Sequence, residues 1–202
     1  MFEIKIDVPF VFNRIESSEI INRLYDLCLS AEPSLLKLEK DIMWRDIEGS
    51  ETTARYSNYN VFLIKDPVVK HVYDLIKLSY YEMLDALKKP RESMFIQCWI
   101  NVHRKGQNLA KHSHRFPMHG HLTVNAHQTA TIYGDNDELT IPNENGLLTL
   151  LGASNVMHSV TPYKLAQGAR VSIAFDLLPE AWIGKDLYWR KIYEDRIFIP
   201  FD

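Results

Sequence analysis

The second half of the chain alternates short apolar segments with turn-forming residues, and this pattern restricts the fold more than any other feature. Residues Phe95 to His103 alternate with a period of two, which is typical of a β-strand. Further short strands are expected at residues 122–126, 129–133, 139–141, 147–151 and 171–177. Turns containing Gly, Asn, Asp or Pro separate these strands at residues 106–108, 134–137, 142–146 and 167–168. Many short strands at this spacing predict a sandwich, a jelly roll or a small barrel.

The first 90 residues predict a mainly helical region. After an opening strand near residues 2–8, Ser17 can cap a helix whose apolar residues keep helical spacing. A strand is expected at residues 59–64. Asp66-Pro67 then combines a capping side chain with a proline, and the helix that follows is expected to end before Pro90. We therefore expect a mainly β protein (α+β) with N-terminal helices.

Composition excludes several classes of partner. The chain has 202 residues, enough for one compact domain with a helical support region at 1–90 and a β core at 91–202. Its 23 Lys and Arg against 26 Asp and Glu give a net charge of -3 without a basic block, so we expect no nucleic-acid partner. Neither a signal-like N-terminus nor a membrane-length apolar run is evident, which predicts a cytoplasmic protein without a membrane partner. The oligomeric state stays open.

Seven of the chain's eight histidines lie in the β-rich part. Because residues i and i+2 of an extended segment point to the same side, His112 and His114 can bind one metal ion, and the distant His158 can complete the site. Imidazole is the commonest protein ligand for Fe, Zn, Cu and Ni. A second pair, His119 and His121, has the same spacing, although surface histidines in a polar loop explain this pair better.

Arg170 and Ser172 come after the last histidine, His158, and belong to a predicted strand. With a period of two they share one face with Ala174 and Asp176. A guanidinium beside a hydroxyl is well suited to hold a carboxylate through charge-assisted hydrogen bonds. An exposed polar strand face is the alternative interpretation.

The order of these motifs resembles the Fe(II)- and 2-oxoglutarate-dependent oxygenase superfamily, especially its prolyl-hydroxylase-like branch and its uncharacterised phage and marine-bacterial branches. The matching segments are Trp99 to Gly106, His112-Ser113-His114, Gly146 to Leu151, His158 and Arg170-Val171-Ser172. The resemblance covers about the last half of the chain. It implies a double-stranded β-helix, a cupin-like jelly roll, with supporting N-terminal helices.

The resemblance also implies roles for individual residues. His112, His114 and His158 would hold Fe(II), while Arg170, Ser172 and Tyr133 would anchor the cosubstrate 2-oxoglutarate. The candidates for the substrate side are His119, His121 and Asn101. The implied activity is a hydroxylase acting on a small-molecule or peptidyl substrate.

One position departs from the family pattern, which has His-x-Asp or His-x-Glu where this chain has His112-Ser113-His114. Either His114 is a ligand in a three-histidine site, or the site is completed differently. Asp135 and Asp137 are other carboxylates, but their Asn- and Gly-rich turn predicts a solvent-facing position. Two alternatives remain: a cupin-like three-histidine metalloenzyme that uses no 2-oxoglutarate, and a non-catalytic β-sandwich or virion-associated protein.

Overall fold

Two antiparallel β-sheets face each other across a cavity in the computed structural model, which describes residues 1–41 and 53–201. The larger sheet contains, in spatial order, Phe2–Lys5 (β1), Val8–Arg14 (β2), Leu147–Leu151 (β8), Met118–Asn125 (β5), Arg170–Pro179 (β10), Met94–His103 (β3) and Ile199–Phe201 (β11). The smaller sheet contains Leu109–His112 (β4), His158–Val160 (β9), Ala130–Tyr133 (β6) and Leu139–Pro142 (β7). This arrangement confirms the expected mainly β fold class.

The helices are Ser18–Leu35 (α1), Val68–Leu87 (α2), Glu180–Ile183 (α3) and Leu187–Asp195 (α4), with a 3-10 turn at Val61–Leu63. Helices α1 and α2 pack against the face of the larger sheet that lies away from the cavity. None of the helices within the described ranges combines the length and the apolar character needed to cross a membrane.

Local capping and an apolar stripe explain the two long helices. The side chain of Ser17 accepts a hydrogen bond from the first turn of α1, and Asp66 does the same for α2. The side chains of Val72, Ile76 and Met83 on α2 are fully buried against the sheet. Each such burial stabilises the fold by about 1.5–3 kcal/mol, so tertiary packing rather than intrinsic propensity holds these helices.

Strand β10 divides its residues between the core and the cavity as its period of two predicts. Val171, Ile173, Phe175 and Leu177 are buried in the core beneath the helices. Arg170, Ser172, Ala174 and Asp176 line the cavity and are also buried, which rules out the exposed polar face. The neighbouring strand β3 is paired with β10 over its whole length and alternates in the same way.

Two local predictions for the first half were wrong. Residues 59–64 form no strand, and Val61–Leu63 within them form a 3-10 turn, which the Asn60 side chain caps by accepting a hydrogen bond from the backbone N–H of Phe62. The opening strand ends at Lys5, where Ile6 and Asp7 adopt positive φ angles of 47° and 59° and reverse the chain into β2. Strands β1 and β2 thus join the larger sheet, while the division of the chain near residue 90 stays a prediction.

Candidate metal centre

Three imidazoles meet at one end of the cavity. His112 is the last residue of β4, His158 is the first residue of β9, and the two are direct partners in the register of this strand pair. His114 lies two residues beyond the end of β4. One ring nitrogen from each of the three side chains lies within 4.8 Å of the other two. The structure therefore brings together the three histidines that the sequence proposed as ligands.

Hydrogen bonds determine which nitrogen each ring offers. Nδ1 of His112 lies 2.8 Å from the carbonyl oxygen of Ala110, and Nδ1 of His158 lies 3.1 Å from that of Val156. Because a carbonyl oxygen can only accept, each Nδ1 carries the proton. Nε2 is then the nitrogen left with a lone pair, which is the arrangement that a metal-binding imidazole needs.

The spacing of the Nε2 atoms fits one metal ion. Nε2 of His112 lies 3.1 Å from Nε2 of His114. Two imidazole nitrogens about 2.1 Å from one ion at a right angle are about 3.0 Å apart. Burial, followed by the nearby His114, lowers the pKa of His112 to about 4, so its ring is neutral at pH 7. At this distance either a proton or a metal cation must lie between the two nitrogens.

A carboxylate supports the third ring. Nδ1 of His114 lies 2.7 Å from Oδ1 of Asp176, a residue that is 1% exposed. Asp176 lies on the cavity face of β10, six residues after Arg170. The other two carboxylates considered from sequence, Asp135 and Asp137, are exposed in the β6–β7 turn, where Asp137 pairs with Lys111. Asp176 thus accepts a hydrogen bond from the proposed ligand His114 and does not take its place as a ligand.

Arg170 marks the other end of the cavity. Its side chain is buried, and Nη1 lies 3.3 Å from Nδ1 of His103 on the adjacent strand. Within residues 1–41 and 53–201, Nε of Arg170 has no hydrogen-bond partner and no acidic side chain lies at ion-pair distance from it. Burial lowers the pKa of Arg170 to about 10, which leaves the group charged at pH 7. Ser172 and Tyr133 are buried beside it on the cavity wall.

The three residues proposed for the substrate side all line the cavity. His119 stacks on His114, with ring centroids 4.7 Å apart, and therefore belongs to the metal end. His121 lies near Arg170, and burial followed by that positive charge lowers its pKa to about 3. Asn101 pairs with Ser172 across β3 and β10 and is buried. Their assignment to the substrate side stays a prediction.

Gly120, between His119 and His121, allows β5 to approach its neighbours. A Cβ atom at this position would lie 2.1 Å from the backbone oxygen of Thr149 and 2.9 Å from the ring of Phe175. Only glycine fits without displacing the adjacent strand. The His-Gly-His sequence is thus explained by a strand that presents two imidazoles to the cavity, while Gly120 between them permits close contact with the neighbouring strand β8 and with Phe175.

The cavity extends beyond the residues around the three histidines and around Arg170. Its volume is about 980 Å³, and it is also lined by residues from segments 39–41, 54–58 and 188–196, which include aromatic and charged side chains. The guanidinium of Arg196 lies 4.2 Å from the ring centroid of Tyr56 and 5.7 Å from that of Phe116. No role for Asp176, Arg196 or Tyr56 was predicted from the sequence. The period of two on β10 was a usable signal for Asp176 alone.

Comparison with solved structures gives the fold a name. A prolyl-4-hydroxylase from Pseudomonas putida superposes with a TM-score of 0.60 at 12% identity, covering 84% of this chain and 92% of the other. The alpha-ketoglutarate-dependent epimerase SnoN from nogalamycin biosynthesis gives 0.56 at 10% identity, covering 84% and 76%. CytC3, solved with Fe(II) and alpha-ketoglutarate, gives 0.56 at 14% identity, covering 84% and 72%.

The likeness to the Fe(II)/2-oxoglutarate oxygenases is therefore confirmed at the level of the fold, a double-stranded β-helix. No protein-family model matches the sequence, and no curated protein matches it.

Proposed function

We propose that this chain is an Fe(II)- and 2-oxoglutarate-dependent oxygenase with a three-histidine metal centre. Iron would be held by Nε2 of His112, His114 and His158. The cosubstrate would lie between that centre and Arg170, with Ser172 and Tyr133 beside its distal carboxylate. When bound, iron would activate O2 for hydroxylating a C–H bond of the substrate, with 2-oxoglutarate as the co-reductant that is oxidised to succinate and CO2.

The observation that carries this proposal is the unpaired cation at Arg170. A buried charge is costly unless a partner compensates it, and the described part of the chain offers Arg170 only a neutral imidazole. A ligand carboxylate would form the bidentate, charge-assisted contact that a guanidinium favours. A three-histidine enzyme without an acidic cosubstrate would have no use for a buried arginine at this place.

The protein's own groups contribute orientation. Backbone carbonyls hold the rings of His112 and His158, and Asp176 holds the ring of His114, so that the three lone pairs converge before any metal binds. The His103 ring, whose pKa burial lowers to about 3, stays neutral and does not compete with an anion for Arg170 by charge. Buried residues of both sheets line this end of the cavity.

The substrate would enter through the outer part of the cavity. The aromatic rings of Tyr56, Trp99 and Phe116 lie there, and Trp99 stacks on His114 with centroids 6.0 Å apart. A cavity of about 980 Å³ can accept a small molecule or the side chain of a peptide, and we propose these two substrate classes.

The test is an anaerobic titration of metal-free protein with Fe(II) and then 2-oxoglutarate, recorded by visible absorption. We expect a metal-to-ligand charge-transfer band that requires both additions. In Arg170→Ala the band should need at least about 30-fold more 2-oxoglutarate, since truncating one partner of a buried charge pair costs about 2–5 kcal/mol. His114→Ala should weaken iron binding itself. An equal 2-oxoglutarate requirement in wild type and Arg170→Ala would contradict the proposed cosubstrate site.

A second function is favoured by the imidazole at position 114. A three-histidine centre is also suited to a cupin-like metalloenzyme that uses no 2-oxoglutarate, with iron, zinc or nickel bound. Tight metal binding without a charge-transfer band would support this candidate. A protein that binds no metal after chelation and repletion would instead be a non-catalytic β protein.

A further inference from the structure

The partner of His114 differs in kind from the partners of the other two rings. The Nδ1 atoms of His112 and His158 donate to backbone carbonyls two residues earlier in their own segments. Nδ1 of His114 donates to a side-chain carboxylate from a distant strand, 62 residues further along the chain. Two rings are therefore held by neutral local groups, and one is held by a charged group from the centre of the larger sheet.

We propose that Asp176 is a positioning residue of the metal centre, which orients His114 and supplies through it the negative charge that the three imidazoles lack. This inference rests on the metal centre of the proposed function. A carboxylate that accepts the Nδ1–H bond fixes the ring orientation and increases electron donation from Nε2 to a bound cation. Asp176 would thus act on the ion without contacting it.

The surroundings of Asp176 hold it in this role. It lies in the middle of β10, where its register partners are Gln97 on β3 and His119 on β5. Its second oxygen, Oδ2, lies 3.8 Å from Nη1 of Arg196, whose side chain is 12% exposed. With a hydrogen bond on one oxygen and a cation facing the other, the buried carboxylate is compensated and cannot turn freely.

A merely structural aspartate and a positioning aspartate differ in how they depend on residue 114. If Asp176 only stabilised the fold, its removal would weaken metal binding equally whatever occupies that position. If it acts through the imidazole, its contribution disappears once position 114 carries its own carboxylate. His114→Asp provides this change. It also places two carboxylates close together, so that the negative charge of Asp176 becomes unfavourable.

The experiment is a double-mutant cycle with Co(II) as an anaerobic spectroscopic probe, complemented by Fe(II) titrations. The proteins are wild type, Asp176→Asn, His114→Asp and the double variant, with Asp137→Asn as a control for an exposed carboxylate. We expect Asp176→Asn to weaken Co(II) binding by about 10–100-fold and to shift the visible Co(II) band, as removal of such partners generally does. Asp137→Asn should leave both unchanged. In the His114→Asp background, Asp176→Asn should cause no loss.

Each result decides between the explanations. An unchanged affinity in Asp176→Asn, or the same loss in both backgrounds, would overturn the inference while leaving the proposed function intact. A wild-type protein that binds neither Co(II) nor Fe(II) would overturn the proposed function and this inference with it. Thermal unfolding of the metal-free proteins establishes that each variant is folded. If Asp176→Asn does not fold, Asp176→Ser removes the same charge with a smaller side chain.

Discussion

The two ends of the cavity differ in how completely the protein satisfies its own polar groups. At the metal end, each proposed ligand has an acceptor for its Nδ1–H, supplied by Ala110, Val156 or Asp176. At the other end, Arg170 is buried with one neutral contact, and its Nε has no partner within the described residues.

This difference separates two ways of preparing a site. The three proposed ligands are arranged by internal hydrogen bonds before a ligand arrives, so that their Nε2 atoms converge on one place suited to a cation, although His119 beside them has two buried ring nitrogens without a hydrogen-bond partner among the described residues. The arginine end leaves donors and a charge uncompensated, so what it lacks is an anion. Strand β10 carries both ends on one face, with Arg170 and Asp176 six residues apart, so that one regular strand positions the proposed cation and anion sites on the same wall of the cavity.

The largest effect is expected from removing a ligand. His158→Ala should weaken Fe(II) or Co(II) binding by more than about 100-fold, the upper end of the loss seen when only a supporting hydrogen bond is removed. Equilibrium metal titration measures this, and His71→Ala, which alters an exposed histidine on α2, is the matched control. Retention of full affinity in His158→Ala would show that the three histidines do not form one centre.

At the arginine end, adding 2-oxoglutarate is expected to reverse which protein is the more stable, wild type or Arg170→Met. Without 2-oxoglutarate, Arg170→Met should be more stable than wild type by about 1–4 kcal/mol, because an apolar side chain of similar volume replaces an uncompensated buried charge. With metal present throughout, adding 2-oxoglutarate at 100 times its dissociation constant for wild type should stabilise wild type by about 2.7 kcal/mol and the variant by much less.

Chemical denaturation with and without 2-oxoglutarate measures the free energy of unfolding of both proteins under both conditions. Arg23→Met, which alters an exposed arginine on α1, is the control and should show neither effect. If Arg170→Met were destabilised in the absence of ligand and gained the same stability from 2-oxoglutarate as wild type, the arginine would be structural.

A smaller effect is expected from the imidazole that contacts Arg170. His103→Phe removes the acceptor for Nη1, and loss of one such hydrogen bond costs about 1 kcal/mol, or about fivefold in 2-oxoglutarate affinity. His103→Gln, which keeps an acceptor, should lose less. Metal affinity should be unchanged in both variants because His103 lies at the arginine end; a parallel loss of metal affinity would show that the two ends are not independent.

The alternation of residues along strands was the part of the site that the sequence could predict. On β10, a period of two correctly placed Arg170 and Ser172 together, and Asp176 on the same face, because pairing on both edges keeps this strand regular. The long helix α2 was equally predictable from its capping residues and apolar stripe. Regular elements reveal themselves because their pattern repeats several times.

Local spacing could not predict the contacts between irregular segments, and the meeting of His112, His114 and His158 was expected only from their ligand chemistry and from the family resemblance. Strands β4 and β9 have only four and three residues, too few for a detectable pattern, although they carry His112 and His158. The contact between His114 and Asp176 depends on where the chain runs after β4 ends, which no local spacing encodes. The hairpin at Ile6-Asp7 was missed because neither residue belongs to the Asn-Gly type that signals a tight turn.

The last prediction concerns pH and tests the arginine end without any ligand. Burial, with the charge of Arg170 as the second cause, lowers the pKa of His103 and of His121 to about 3 from an ordinary value of 6.5. Between these two pH values the unfolded chain binds more protons than the folded protein, so the free energy of unfolding should fall as the pH drops below about 6.5.

Urea denaturation of metal-free protein at pH 7.5 and pH 5 measures this loss. His103→Gln should reduce it, because one group that takes up a proton only on unfolding is gone, whereas His71→Gln, on the exposed face of α2, should leave it unchanged. A loss in His103→Gln equal to that of wild type would mean that His103 is accessible to protons in the folded state. The arginine end would then be open to water, and the uncompensated charge of Arg170 would no longer distinguish it from the metal end.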